Sequence, residues 1–308
     1  MINDLLGIKY PIFMGAMANI TDGKFAAAVS NAGGLGIIGA GAHDAKWMRE
    51  QIKICRENTD KPFGVGILLI SPFCDDIAKV IIEENVSIVT TGAGMANKYI
   101  KLFNEHNIKT IPVVGTVSGA IRSERAGAFA VIAEGMESGG HVGEETTMAL
   151  VPQVAKAVKI PVIAAGGIAD GKTFLSALAL GAQGIQAGTI FIATKEAPVS
   201  DVYKNIIVEA RDIDTIVDEN KFGLRIRIFK NNLARNIKTV FGKAESMLEY
   251  ELLTSKYHEK AMNGDYNDGL FMMGQNAGLV TEIRTVEELL KYLMDDLNKE
   301  LNNMKNAL

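Results

Sequence analysis

The chain has 308 residues, 48% of them apolar and 22% charged, with a formal net charge of −4. That length holds one large barrel or two ordinary domains, the mild acidity argues against general nucleic-acid binding, and no apolar stretch is long enough to span a bilayer. Met1-Ile2-Asn3-Asp4 lacks the basic and apolar regions of a signal peptide. Cys55 and Cys74 are too few for a disulfide framework or a zinc cluster, so a cytoplasmic enzyme is expected.

In chain order, short apolar runs occupy Tyr10–Gly15, Gly34–Ala40, Pro62–Leu69, Ser87–Gly92, Thr110–Val117, Phe129–Gly135, Pro161–Gly167 and Gly184–Ile192. Amphipathic helical patterns lie between them, at Gly23–Ala32, Ala45–Glu57, Cys74–Glu84, Lys98–His106, Thr147–Val158 and Gly171–Leu180. Continuous apolar runs suit parallel strands covered by helices. Eight such units predict an α/β fold of the TIM (β/α)8 class. A doubly wound sheet is disfavoured, because no early G-x-G-x-x-G opens a helix after the first strand.

After Ile192 the periodicity becomes irregular until the last barrel helix, Thr285–Leu301. Residues 1–200 and 280–308 are therefore expected to form the barrel, and residues 201–279 a mostly helical insertion after strand 8. Insertions leave from the βα loops, at the face where barrel active sites form. A lid over the substrate is expected there; a stabilising cap is the plainer reading.

The loop Ala133-Glu134-Gly135-Met136-Glu137-Ser138-Gly139-Gly140-His141-Val142-Gly143 follows strand six. Its glycines allow close approach of backbone and ligand, and His141 is placed to move a proton at neutral pH. The alternative is that His141 merely caps a turn. Strand seven ends Ala164-Ala165-Gly166-Gly167-Ile168-Ala169-Asp170-Gly171 and strand eight ends Gln186-Ala187-Gly188-Thr189. Glycine pairs that open backbone N–H groups at the start of a helix favour an anion, and in barrels this is the usual phosphate position.

The other strand ends, Met14-Gly15-Ala16-Met17, Gly39-Ala40-Gly41 and Thr90-Thr91-Gly92, carry few ionisable groups and suit a flat ring. No His and carboxylate spacing predicts a metal site, and no strand-end lysine predicts a Schiff base. Flavin mononucleotide (FMN) meets both requirements and carries redox chemistry itself. Of the other histidines, His106 lies at the face away from the chemistry. His258 stands among Lys and Glu and is expected to be solvated, and His43 reads as part of a helix entry. Cys74 is a bystander, because no neighbouring base makes it a thiolate.

These segments resemble the nitronate monooxygenase superfamily, and most closely its FMN-dependent enoyl-[acyl-carrier-protein] reductase II members. The similarity also includes Tyr10-Pro11-Ile12-Phe13, Ala32–Gly39, Lys61-Pro62-Phe63-Gly64-Val65, Thr90–Gly94, Ala210–Thr215 and Gly274–Leu279. The resemblance implies that His141 is catalytic and that Gly166, Gly167 and Gly188 hold the FMN phosphate. The remaining expected flavin contacts are Met14, Gly15, Ala16, Thr91, Glu134, Gly139, Gly140, Ala165, Gln186 and Thr189. Two positions depart from the family: Met14-Gly15-Ala16-Met17 replaces Gln-Gly-Gly-Met, and Gly66 replaces an asparagine.

The implied reaction is reduction of a trans-2-enoyl thioester on acyl carrier protein by NADH or NADPH through FMN, the last step of fatty-acid elongation. The alternatives are oxidation of alkyl nitronates with oxygen, or a flavin-binding barrel without turnover. Inosine-monophosphate-type dehydrogenases share the phosphate logic but need a cysteine after strand six, which is absent. The resemblance also implies a homodimer. From Lys221 to Lys243 run Lys221, Arg225, Arg227, Lys230, Arg235, Lys238 and Lys243 with no acidic residue between. Acyl carrier proteins are acidic, so this region is a candidate docking face.

Overall fold

The computed structural model describes residues 1–307. Eight parallel strands form the central sheet: β1 (Ile12–Met14), β2 (Gly36–Gly39), β3 (Phe63–Leu68), β4 (Ile88–Gly92), β5 (Lys109–Val114), β6 (Val131–Glu134), β7 (Val162–Ala165) and β8 (Gly184–Ala187). Their spatial order runs β1-β8-β7-β6-β5-β4-β3-β2. Leu35, just before β2, closes the circle. Its N–H donates to Ile12 O at 2.9 Å, and its carbonyl accepts from Met14 N–H at 3.0 Å. The TIM barrel predicted from eight apolar runs is present. Each strand falls within its run, save that β5 begins one residue early, at Lys109.

Alternation along each strand sorts side chains between two apolar layers. Phe13, Ile37, Ile88, Ile111, Ile132 and Ile163 fill the barrel interior, plugged by Ile2 and Leu6 of a short helix, Ile2–Leu6. Ile12, Met14, Val65, Val89, Val131 and Ile185 face outward against the helices. The helices predicted between strands form within one or two residues of their expected bounds. The helix Val117–Arg125, whose first residue the sequence reading gave to strand five, follows β5. Thr116 Oγ1 caps it by accepting from Gly119 N–H at 3.1 Å.

The segment after β8 is mostly helical, as expected, with one addition. It holds helices Asp201–Val208, Asn232–Phe241 and Met247–Met262, but also an antiparallel hairpin of Thr215–Glu219 and Arg225–Phe229. The hairpin's second strand pairs with Gly140–His141, so this segment carries part of the His141 loop in a three-stranded sheet. A separate apolar cluster, including Ile226, Ile228, Leu233, Ile237, Phe241 and Tyr250, supports it. The final helix, Val286–Ala307, packs against helix Gly171–Ala179. Among the described residues no helix is long and apolar enough to cross a membrane.

Candidate functional site

A cavity of about 510 Å³ opens at the C-terminal ends of the strands, beneath helix Met247–Met262. That volume lies within the roughly 300–1,000 Å³ of ordinary ligand pockets. Its inner wall follows from strand register: Glu134 pairs with Ala165, and Ala165 with Gln186, so three consecutive strands present these side chains together. Gln186 lies along Gly15, and its Oε1 is buried without a hydrogen-bond partner. Burial pushes the Glu134 carboxyl up to about 7, against the opposing pull of His141.

The floor is built from small residues. Ala16, just after β1, and Gly66 of β3 meet over β2: a Cβ added at Gly66 falls 2.2 Å from that of Ala16 and 3.1 Å from Thr90 Oγ1. The two departures from the family pattern are therefore coupled by sterics. Where the family has glycine and asparagine, this chain has Ala16 and Gly66. Thr91 also reaches the cavity wall, but the side chain beside Gly66 is that of Thr90, which the sequence reading named in its strand end without counting it among the flavin contacts.

Gly166 and Gly167 take φ of +91° and +76°, a left-handed backbone that glycine adopts without the cost a Cβ brings. With Gly188 and Thr189 they line one end of the cavity. Among the described residues, the N–H groups of Gly167 and Thr189 make no hydrogen bond within the protein. The start of helix Gly171–Ala179 is different. Asp170 Oδ1 accepts from Thr173 N–H and Asp296 Oδ2 from Gly171 N–H, each at 2.8 Å. Two carboxylates already satisfy that helix end, so the anion cradle predicted from sequence narrows to the strand-end glycines and the turn after β8.

His141 sits in the two-residue strand beside the hairpin and lines the cavity. Its Nε2–H donates to Glu251 Oε1 at 3.1 Å, with side chains 26% and 10% exposed. The loop leading to it is tightly held. Gly139 passes so close to Met273 that a Cβ would fall 2.6 Å from its backbone. Arg227 Nε and Nη2 donate to Met136 O at 3.0 and 2.9 Å, and Nη1 donates to Thr215 Oγ1 at 3.1 Å. Gly140, like Gly139, borders the cavity.

Three expectations drawn from the sequence need correction. Met14 is fully buried in the outward layer, because alternation points Phe13 inward and Met14 toward the helices; it does not line the cavity. His258, expected in solvent, is 2% exposed and lines the cavity, with burial pushing its pKa down to about 4. Arg227 is buried as the staple just described, so it is no surface docking residue. Arg225 pairs with Glu144 and Glu219, whereas Lys221, Lys230, Arg235, Lys238 and Lys243 are exposed.

His106 is exposed, and His43 stacks on Trp47 with ring centroids 3.9 Å apart, outside the cavity lining. Cys74 Sγ lies 2.9 Å from the Tyr99 hydroxyl, outside the lining as well. Site residues that sequence reasoning missed include Glu251, Thr254, Ser255, Asn19 and Asn276. Only the spacing of Glu251, Thr254, Ser255 and His258 along one helix face offered a signal. Among the described residues no cluster of side chains has the makings of a metal site.

The family model described as nitronate monooxygenase matches residues 1–84 and 70–296. A probable nitronate monooxygenase of Staphylococcus aureus (strain MRSA252) is 31% identical, with 97% of each chain covered. Among solved structures, FabK from Thermotoga maritima is 46% identical with a TM-score of 0.95, covering 100% of this chain and 98% of its own. A nitroalkane oxidase from Streptomyces ansochromogenes is 27% identical with a TM-score of 0.89, covering 98% and 99%.

Proposed function

The chain belongs to the nitronate monooxygenase family, and from that premise we propose that it is an FMN-dependent reductase of trans-2-enoyl thioesters carried on acyl carrier protein, with NADH or NADPH as reductant. The observation that carries the reading is the likeness to FabK, which exceeds that to the nitronate and nitroalkane relatives and spans the insertion as well as the barrel. It agrees with the sequence resemblance to enoyl-[acyl-carrier-protein] reductase II.

The residues present suit FMN. The glycine backbone at 166, 167 and 188 leaves room and N–H groups for a phosphate. Gly15, Ala16 and Gly66 make a floor free of bulky side chains, beside the unpartnered Oε1 of Gln186. When bound, FMN supplies the redox chemistry, taking a hydride from reduced nicotinamide and giving one to the β-carbon of the enoyl thioester.

The chain's own residues then complete the saturated product. With Nε2 committed to Glu251, the imidazole of His141 has Nδ1 left to meet substrate. Doubly protonated, with Nε2–H on the Glu251 carboxylate, the ring delivers from Nδ1–H the proton that reduction at the β-carbon requires at the α-carbon, is left neutral, and takes a proton back from solvent. Glu251 fixes the tautomer and the ring plane, the task of a positioning residue. Helix Met247–Met262 and the His141 loop both line the cavity around the reacting end. The exposed basic residues Lys221, Lys230, Arg235, Lys238 and Lys243 attract an acidic carrier protein.

The nitronate reading is favoured by the names of the curated relatives. In it, neutral His141 abstracts the proton α to a nitro group. One experiment separates the two. Purified yellow protein is mixed anaerobically with NADH or NADPH and a crotonyl thioester, and in parallel with a nitroalkane and oxygen. Nicotinamide oxidation that depends on the thioester supports the reductase; turnover only in the second mixture refutes it.

A further inference from the structure

Helix Met247–Met262 turns Glu251, Thr254, Ser255 and His258 onto the cavity. Their spacing of three, four and seven residues places them on one helical face. Three of the four have partners. Glu251 holds His141, Thr254 Oγ1 donates to Tyr250 O at 2.9 Å, and Ser255 Oγ accepts from Asn19 Nδ2 at 3.1 Å. His258 has none: the residue is only 2% exposed, and no group of the protein reaches Nε2.

A polar group buried without a partner forfeits its hydration and gains nothing in return, and such a group in a folded protein calls for an explanation. Packing is a poor one. The ring meets Tyr203 edge-on at 6.3 Å between centroids, a contact that phenylalanine makes equally well. Ionisation is also excluded as the purpose. Burial alone lowers the pKa of His258, with no charged neighbour contributing, so the ring is neutral near pH 7.

A neutral imidazole offers one donor and one acceptor. The Asn19 carboxamide and the Ser255 hydroxyl beside it on the cavity wall are likewise uncharged and able both to donate and to accept. An ionic ligand finds no counter-charge here, whereas an uncharged amide, with N–H and C=O together, matches the set. We propose that His258, supported by Ser255 and Asn19, forms an amide-binding subsite in the roof of the cavity.

The inference rests on the reading of a nicotinamide-dependent thioester reductase, whose two substrates both carry amides. One is the carboxamide of the nicotinamide ring; the other is the pair of amides in the arm that bears the thioester. Both sources present the same chemistry to His258, and the test tells them apart.

Flavin-loaded protein is compared with its His258→Phe and His258→Asn variants by measuring affinity for four probes. These are NAD⁺, ADP-ribose (which lacks the nicotinamide), a saturated acyl-coenzyme A, and an ethyl thioester of the same acyl chain without amides. In His258→Phe the affinity for an amide-bearing probe should fall about five- to tenfold, the loss of one or two neutral hydrogen bonds. The probes without amides should bind as before, and His258→Asn should recover part of the loss. Loss confined to NAD⁺ assigns the nicotinamide as occupant; loss confined to acyl-coenzyme A assigns the thioester arm.

A structural role gives a different signature. The thermal midpoint of His258→Phe at neutral pH would rise, and all four affinities would match the parent. That result overturns the proposal, as does an equal loss for all four. Absence of crotonyl-thioester turnover in the parent protein overturns the reductase reading instead, and leaves the comparison of affinities intact.

Discussion

Adding one methyl group at Gly66 tests how the cavity floor is built. The new Cβ falls 2.2 Å from Ala16 Cβ, whereas carbons rest about 3.5–4.0 Å apart. Gly66→Ala therefore demands a separation of roughly 1.3–1.8 Å. Little can yield. Gly66 is held in register between Gly39 and Thr90, and Gly15 N–H is bonded to Ala187 O at 2.8 Å. Overpacking of this kind costs about 1–3 kcal/mol, and the second close contact, Thr90 Oγ1 at 3.1 Å, places this case toward the upper end. For a protein of this size that is a fall in thermal midpoint of about 3–5 °C. Ala16→Gly removes the obstructing methyl, so the double variant should recover most of the loss, with a coupling of at least about 1 kcal/mol. The assay is thermal unfolding of the parent, both single variants and the double variant, with the flavin absorbance of each. The variant Ala16→Gly/Gly66→Asn restores the family's pair and should fold and retain flavin. If Gly66→Ala costs as much in the Ala16→Gly background as in the parent, the contact does not control the floor.

Four further outcomes follow from the site. In His141→Ala, reduction of the flavin by NADH should stay fast while reoxidation by crotonyl thioester slows about 10²–10⁴-fold; stopped-flow traces at the parental rate would make His141 structural. Gly167→Asp should give folded but colourless protein, since it puts a Cβ at φ +76° and a carboxylate beside the cradle; stoichiometric FMN in that variant would move the phosphate elsewhere. Glu134 binds its proton more tightly when folded, so its contribution to stability is present below the unfolded pKa of 4.5 and is lost as pH rises to about 7. Glu134→Gln should therefore be more stable than the parent at pH 8 relative to pH 4, by an amount on the order of 3 kcal/mol, and parallel pH–stability curves would contradict this. Reversing Arg235 and Lys238 to Glu should weaken turnover of carrier-protein thioesters more than of small thioesters, with the gap closing at high salt; equal losses would remove the docking role.

Local chemistry made much of this protein readable from its residues in order. Eight continuous apolar runs, each followed by a helical pattern, announced the barrel, because a strand covered by helices must be apolar along its whole length. Glycine clusters at the ends of β6, β7 and β8 marked the site for a similar reason: backbone can approach a ligand closely only where side chains are missing. Tertiary structure decided the rest. Glu251 reaches His141 from 110 positions away, and no short-range pattern records such a meeting. Arg227 looked like one of seven surface cations until the hairpin carried it under the His141 loop to bind Met136 O. His258 had charged neighbours in sequence, yet helix Met247–Met262 turns them outward and the ring inward. Met14 follows Phe13 by one residue, and that single step placed it on the opposite face of the sheet from the cavity. Periodicity records which positions are covered; which segment covers them is fixed only when distant parts of the chain pack together.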